Sequence, residues 1–359
     1  MLFCKPYHPK SLKSLKSLLL SILFFCFCVG HLLAQPLTPK DNGLKEFSIK
    51  DPKLGLIRFY VNAENLQKKE PLFIDVNGSG GLPLCLYVKG KGFSEVSFTY
   101  NSDIKNAVKK YYHYIILGKP GTRFCDSITT NQDSKHVDRH ALVANYKFSK
   151  EYNQRLSLGW RVDATKKVIT YLIGHGYWDG TQIVAQGYSE GAQVVPSLAV
   201  ADKRITHVVA IVGSGLNQFY DDIMAWRVKA TKGEITQQQA QDSVNAELKR
   251  IKDIYHHPDN TKLQYSGHSY KRWASFGLNP PFEQLRKLRI PIYMIAATAD
   301  KNSPIYGLDY VQLDFIRLGK TNLTYDTCVG CDHALNSSEN GKTINHDYFP
   351  KILKWLGRD

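Results

Sequence analysis

From residue 70 onward, short runs of β-branched and aromatic residues alternate with longer stretches in which apolar residues recur every three or four positions. That is the pattern of a mainly parallel sheet with crossover helices. In order, the runs predict strands over 71–76, 113–117, 182–185, 206–212, 291–297 and 322–327. Each run is nearly continuous in apolar character, as in strands covered on both faces. Residues 44–50 and 54–61 alternate instead, and predict an antiparallel hairpin leading into the sheet.

Between the strands, 156–173 carries apolar residues at helical spacing (Leu158, Val162, Val168, Leu172) and stops at Gly174 and Gly176. Helices are also expected over 191–201 and 345–356. The one long interruption runs from about 215 to 289. Within it 235–255 reads as a polar amphipathic helix, with Val244, Leu248, Ile251 and Ile254 on one side. Because this stretch falls between two strands, it predicts an inserted helical cap.

The first 34 residues carry a different pattern. Lys5, Lys10, Lys13 and Lys16 precede an apolar run from Leu18 to Val29, and Leu32-Leu33-Ala34 precedes Gln35. A basic segment, an apolar core and a small-residue site read as a signal peptide over 1–34, with a mature chain over 35–359 that is secreted or periplasmic. An apolar core of about a dozen residues is shorter than the roughly 20 needed to span a bilayer, so no stable membrane span is expected after cleavage. Setting the leader aside also changes the cysteine count. Of seven cysteines, Cys85, Cys125, Cys328 and Cys331 remain, an even number that suits an oxidising compartment. The spacing Cys328-Val329-Gly330-Cys331 predicts a small disulfide ring, and Cys85 and Cys125 would then pair by elimination.

The formal net charge is +15, four of it in the leader. The remaining Lys and Arg are scattered among acids, whereas a nucleic-acid binder gathers them on one face with interleaved aromatics, so no nucleic acid is expected as partner. His256-His257 has no Cys, Asp or Glu at convincing ligand spacing, and neither a metal nor any other cofactor is expected.

The candidate chemistry lies in Gly187-Tyr188-Ser189-Glu190-Gly191. As a bare pattern it is weak, but a strand precedes it and a helix follows. That context places the serine on a sharp strand-to-helix turn that only small flanking residues permit. A serine hydroxyl needs a base to remove its proton and an acid to hold that base in the right tautomer. Asp300 follows the strand at 291–297, and His333 follows the strand at 322–327. Asp332 adjoins the histidine, but neighbouring side chains diverge, so Asp300 is the expected acid. Arg123, in Lys119-Pro120-Gly121-Thr122-Arg123, is a candidate partner for a substrate carboxylate or a plain surface arginine. Trp273, in the aromatic stretch Tyr265–Phe276, lines an acyl pocket or packs the cap. Tyr188, next to the serine, is a further candidate substrate contact.

These motifs resemble those of the α/β-hydrolase superfamily, and within it the acyl-hydrolase and peptidase group related to dienelactone hydrolases and prolyl-oligopeptidase catalytic domains. The resemblance covers roughly residues 70 to 359 and rests on Gly187-Tyr188-Ser189-Glu190-Gly191, Thr298-Ala299-Asp300 and Asp332-His333-Ala334. Ala192 departs from the peptidase pattern, which has a glycine there. The resemblance implies an α/β-hydrolase fold, a mainly parallel sheet flanked by helices, with the inserted cap at about 215–289. It also implies an oxyanion hole in the loop Asn77-Gly78-Ser79-Gly80-Gly81, with the Ser79 and Glu190 N–H groups as donors. The implied function is a serine hydrolase acting on a small-molecule or peptide acyl substrate. A carboxylic ester or thioester is the leading substrate class. A secreted peptidase or aminopeptidase is the alternative, followed by an acyltransferase or lipase and a non-catalytic binding protein.

Overall fold

The computed structural model describes residues 36–89, 93–96, 102–129 and 146–358. The signal peptide expected over 1–34 lies outside the described residues. After the hairpin of β1 (Leu44–Asp51) and β2 (Gly55–Asn62) come β3 (Glu70–Val76), β4 (Cys85–Lys89), β5 (Phe93–Val96), β6 (His113–Leu117) and β7 (Cys125–Thr129). The chain continues through β8 (Trp178–Tyr188), β9 (His207–Ile211), the short pair β10 (Gln264–Tyr265) and β11 (His268–Ser269), β12 (Ile292–Ala297) and β13 (Leu323–Cys328).

Eight of these strands form one sheet in the order β1-β2-β6-β3-β8-β9-β12-β13. β2 meets β6 antiparallel, and each neighbouring pair from β6 to β13 is parallel. A parallel arrangement brings the carboxyl ends of β3, β6, β8, β9, β12 and β13 to one edge, where α/β sheets place their sites. Both faces are covered. Leu72, Ile74, Ile183 and Ala185 point into one core with the helix Leu158–Gly174, while Phe73, Tyr114 and Val184 point into the other. Successive side chains leave a strand on opposite sides, so a continuous apolar run is what a doubly covered strand requires.

The small sheet β5-β4-β7 was not legible as strands, because β4 and β7 fall in stretches that read as loops. It pairs Cys85 with Cys125 in register, and the Cys125 thiol donates to the Cys85 sulfur at 2.8 Å with no disulfide between them, so the bond expected by elimination is not formed. Cys328 and Cys331 are joined by a disulfide. Among the described residues, no helix is long and apolar enough to cross a membrane.

Between β9 and β12 lie the helices Gln218–Thr231, Gln237–His256, Tyr270–Gly277 and Pro281–Leu285. Thr236 and Gln239 close the first turn of the second with reciprocal side-chain bonds, a capping box. Val244 and Ile254 are buried and Leu248 is exposed, so the apolar face of that helix is narrower than its spacing predicts. The inserted segment has its own small core of Phe219, Ile254, Tyr270, Trp273 and Ala274.

It joins the main body through Phe276, Leu285 and Leu288, which are buried in the larger core, and through a buried ionic cluster. Glu190, fully buried, accepts from Arg161 of the helix Leu158–Gly174 at 2.5 Å. Its second oxygen accepts from Arg272 of the helix Tyr270–Gly277 at 2.6 and 3.1 Å. The Arg272 guanidinium also lies 4.4 Å over the Trp273 and Phe276 rings. Burial alone would push the Glu190 carboxyl up, but Arg272, Lys119 and Arg161 outweigh it and hold it far below the usual carboxylate range. Removing one partner of a buried pair strands the other charge in a low dielectric, at a cost of about 3 to 5 kcal/mol. Arg272→Met is therefore expected to lose about 3 kcal/mol, read as a lower urea midpoint, and Glu190→Gln combined with Arg272→Met to recover part of it. A single variant within about 0.5 kcal/mol of the parent would show that this pair does not fasten the insertion.

Candidate active site

Ser189 stands between β8 and the helix Glu190–Ala201 with φ 54° and ψ −118°, the left-handed region that non-glycine residues avoid. The chain tolerates this because its surroundings leave no alternative. A Cβ on Gly187 would stand 2.2 Å from the Gly191 backbone, and one on Gly191 would stand 1.8 Å from the Val76 carbonyl oxygen. The two glycines of the motif thus let the turn close on itself and on the end of β3. Ala192, the departure from the peptidase pattern, fits because residue 213 is glycine, where a Cβ would meet that of Ala192 at 2.5 Å.

The structure brings Ser189, His333 and Asp300 together. His333 Nε2 lies 3.0 Å from Ser189 Oγ, and His333 Nδ1 lies 2.7 Å from Asp300 Oδ2. Asp300 is 6% exposed, and its other oxygen accepts from the N–H groups of Asn302 and Ser303 at 2.8 and 3.0 Å. Those bonds aim the carboxylate at the imidazole. Asp332 accepts instead from the N–H groups of Ala334 and Asn336, which stiffens the turn after His333 and keeps this acid away from the ring.

The two loops carrying the acid and the histidine are fastened to each other. Thr298 and Ala299 N–H donate to the carbonyls of Cys328 and Cys331 at 3.1 and 2.9 Å, and Gly330 N–H donates to Thr298 Oγ1 at 2.7 Å. The disulfide ring is therefore the strip against which the Asp300 turn is laid. Gly330, at φ 73°, supplies the left-handed residue its tight turn needs.

On the opposite side of Ser189, the loop after β3 packs against the serine, since a Cβ on Gly78 would touch that of Ser189 at 3.5 Å. Buried cations hold this loop from behind. Arg161 Nη2 donates to the carbonyl and the side-chain oxygen of Asn77, both at 2.7 Å. Lys119 Nζ donates to the carbonyls of Gly78 and, at 2.6 Å, of Gly80. Burial pulls the Lys119 ammonium well below its usual range, and the Glu190 carboxylate opposes that shift. Sequence reasoning missed this cluster. A signal was present for Arg161, which falls in the stripe Leu158, Thr165, Val168 and Leu172 where a solvated arginine has no place.

The three expected substrate contacts fare differently. The Tyr188 hydroxyl donates to the His333 carbonyl and its ring meets the imidazole edge-on at 5.9 Å, so it braces the histidine loop. Trp273 is 7% exposed, stacked on Phe219, and donates its indole N–H to the Tyr265 carbonyl at 2.7 Å. Its surface is spent inside the inserted segment, so of the two sequence readings the structure favours packing. Arg123 is exposed, with its charge acting on the Tyr146 hydroxyl.

Residues 164–268 match the family model "BAAT / Acyl-CoA thioester hydrolase C terminal". That segment spans the elbow and much of the insertion. No curated protein sequence matches the chain. Among solved structures, the chain is similar to a putative dipeptidyl aminopeptidase IV from Bacteroides ovatus, at 12% identity and TM-score 0.50 over 90% of this chain and 36% of that one. It is also similar to a puromycin-hydrolyzing peptidase of Mycobacterium tuberculosis, at 11% identity and TM-score 0.50 over 81% of this chain and 36% of that one. The chain thus spans little more than a third of the length of either peptidase. At such identities the likeness carries the fold and not the substrate. Sheet order, elbow and structural likeness agree that this chain has the α/β-hydrolase fold.

Proposed function

We propose that the chain is a serine hydrolase that cleaves a carboxylic ester or thioester through an acyl-enzyme, with Ser189 as nucleophile, His333 as general base and Asp300 as the acid that orients it. The observation that carries this reading is the pair of contacts at 3.0 and 2.7 Å that runs from Ser189 through His333 to Asp300 at the tip of a strained turn. In the acylation step, His333 Nε2 takes the hydroxyl proton as Oγ attacks the acyl carbon, and the carbonyl electron pair moves onto oxygen. The Ser79 and Glu190 N–H groups receive that oxyanion. His333 then gives the proton to the leaving group, and a water repeats the sequence to release the acid.

The thioester side of this reading is supported by the family segment around the elbow. A peptidase is the second reading, supported by the fold likeness to the two peptidases. Export to an oxidising compartment is part of the proposal and rests on the leader pattern together with the Cys328–Cys331 disulfide.

Ser189→Ala should leave the fold intact and reduce kcat by about 10⁴- to 10⁶-fold. In the parent, a fluorophosphonate probe should label Ser189, as read by peptide mass spectrometry. A variant that keeps more than a few per cent of activity would remove Ser189 from the mechanism. A panel of p-nitrophenyl esters and acyl thioesters beside aminoacyl and prolyl amides decides the leaving group. The proposal expects turnover of the esters or thioesters, and turnover of amides alone would transfer the assignment to a peptidase.

A further inference from the structure

Resting on the serine-hydrolase reading above, we infer that Lys119 is a positioning residue of the oxyanion hole, acting through the peptide unit between Gly78 and Ser79. The argument is one of peptide geometry. In a planar trans peptide, the carbonyl of one residue and the N–H of the next point in opposite directions. Lys119 Nζ donates to the Gly78 carbonyl, so the Ser79 N–H of that same unit points away from the lysine. Arg161 does the same one unit earlier, fixing the Asn77 carbonyl and turning the Gly78 N–H outward. Among the described residues, neither of these two N–H groups has an acceptor, although the loop lies against the nucleophile.

The side chains behind the loop are buried and the side in front is open. Lys119 is 4% and Arg161 5% exposed, whereas Ser79 is exposed and Ser189 partly so. Lys119 also grips the Gly80 carbonyl at 2.6 Å, so a single nitrogen spans the glycine-rich turn and prevents either unit from flipping. A peptide flip would aim a carbonyl at the reacting oxygen, and two glycines without a Cβ offer little resistance of their own. A donor on the carbonyl end of an amide also polarises its N–H, since chained hydrogen bonds strengthen one another. Lys119 supplies that donor whether its nitrogen is an ammonium or an amine. No group other than backbone touches the developing oxyanion in this scheme, and Lys119 contributes by orientation and polarisation alone.

The test compares the parent with Lys119→Met, which removes the donor, and Lys119→Gln, which keeps an amide NH2 donor and removes the charge. Three quantities are read: kcat per serine titrated by the fluorophosphonate probe, KM, and the inhibition constant of a trifluoromethyl ketone whose serine adduct bears an oxyanion. Loss of an oxyanion donor outright costs about 10²- to 10³-fold in kcat. The expected loss for Lys119→Met is about 10- to 100-fold per titrated site, with KM changed by less than about threefold and the ketone weakened by the same factor as kcat/KM. Lys119→Gln should fall between Lys119→Met and the parent, and it carries the test if Lys119→Met does not fold. Fewer titratable sites at parental kcat per site would overturn the inference and leave Lys119 a structural residue. So would an unchanged ketone affinity. Failure of the parent to label at Ser189 would overturn the serine-hydrolase reading instead.

Discussion

A carboxylate with no access to water sits one residue after the elbow serine, and much of the surrounding architecture is arranged to keep it charged. Glu190 cannot be solvated, so it must be paired, and its partners come from three separate parts of the chain. Arg161 belongs to a helix on the sheet, Lys119 to the loop after β6, and Arg272 to the inserted segment. One buried charge therefore couples the nucleophile turn, the glycine loop and the insertion. A hydrophobic replacement of the whole cluster could be as stable, but it would not hold the carbonyls of Asn77, Gly78 and Gly80 in one direction.

The other half of the site is built by a different means. The Asp300 and His333 loops follow adjacent parallel strands, and backbone bonds to the Cys328–Cys331 ring zip them together. Tyr188, adjoining the serine in sequence, reaches across to the His333 carbonyl. Acid and histidine are thus placed by main-chain bonds, and the glycine loop by buried side-chain cations. The elbow strain at Ser189 is held between the two, with Gly187 and Gly191 as the positions where any side chain would collide with the turn itself and with the end of β3 respectively.

Much of this was legible in the residues. Five of the six main strands are buried on both faces where they were read, which turns each into a short apolar run; β13, at the sheet edge and mostly half-exposed, was legible from its β-branched and aromatic residues instead. Gly-Tyr-Ser-Glu-Gly stood out because a strand and a helix flank it, and Asp300 and His333 because each follows such a strand. The cation cluster was hidden for a physical reason. A lone arginine or lysine in a sequence reads as a solvated side chain; Arg161 alone carried a signal, from its place in an apolar helical stripe, and for Lys119 and Arg272 only three-dimensional convergence on Glu190 reveals the burial. Trp273 and Tyr188 were open for a similar reason: an aromatic residue can face a ligand or a neighbour, and spacing does not distinguish the two. The β4 and β7 strands were missed inside stretches that read as loops, although they set Cys85 beside Cys125.

The most direct measurement of the central claim is a crystal structure of the enzyme after reaction with a fluorophosphonate. The account predicts phosphorus bonded to Ser189 Oγ, with the phosphoryl oxygen about 2.7–3.1 Å from the N–H groups of Ser79 and Glu190 and the Lys119 contacts to Gly78 and Gly80 unchanged. An adduct on another residue, or a phosphoryl oxygen turned away from both amides, would contradict it.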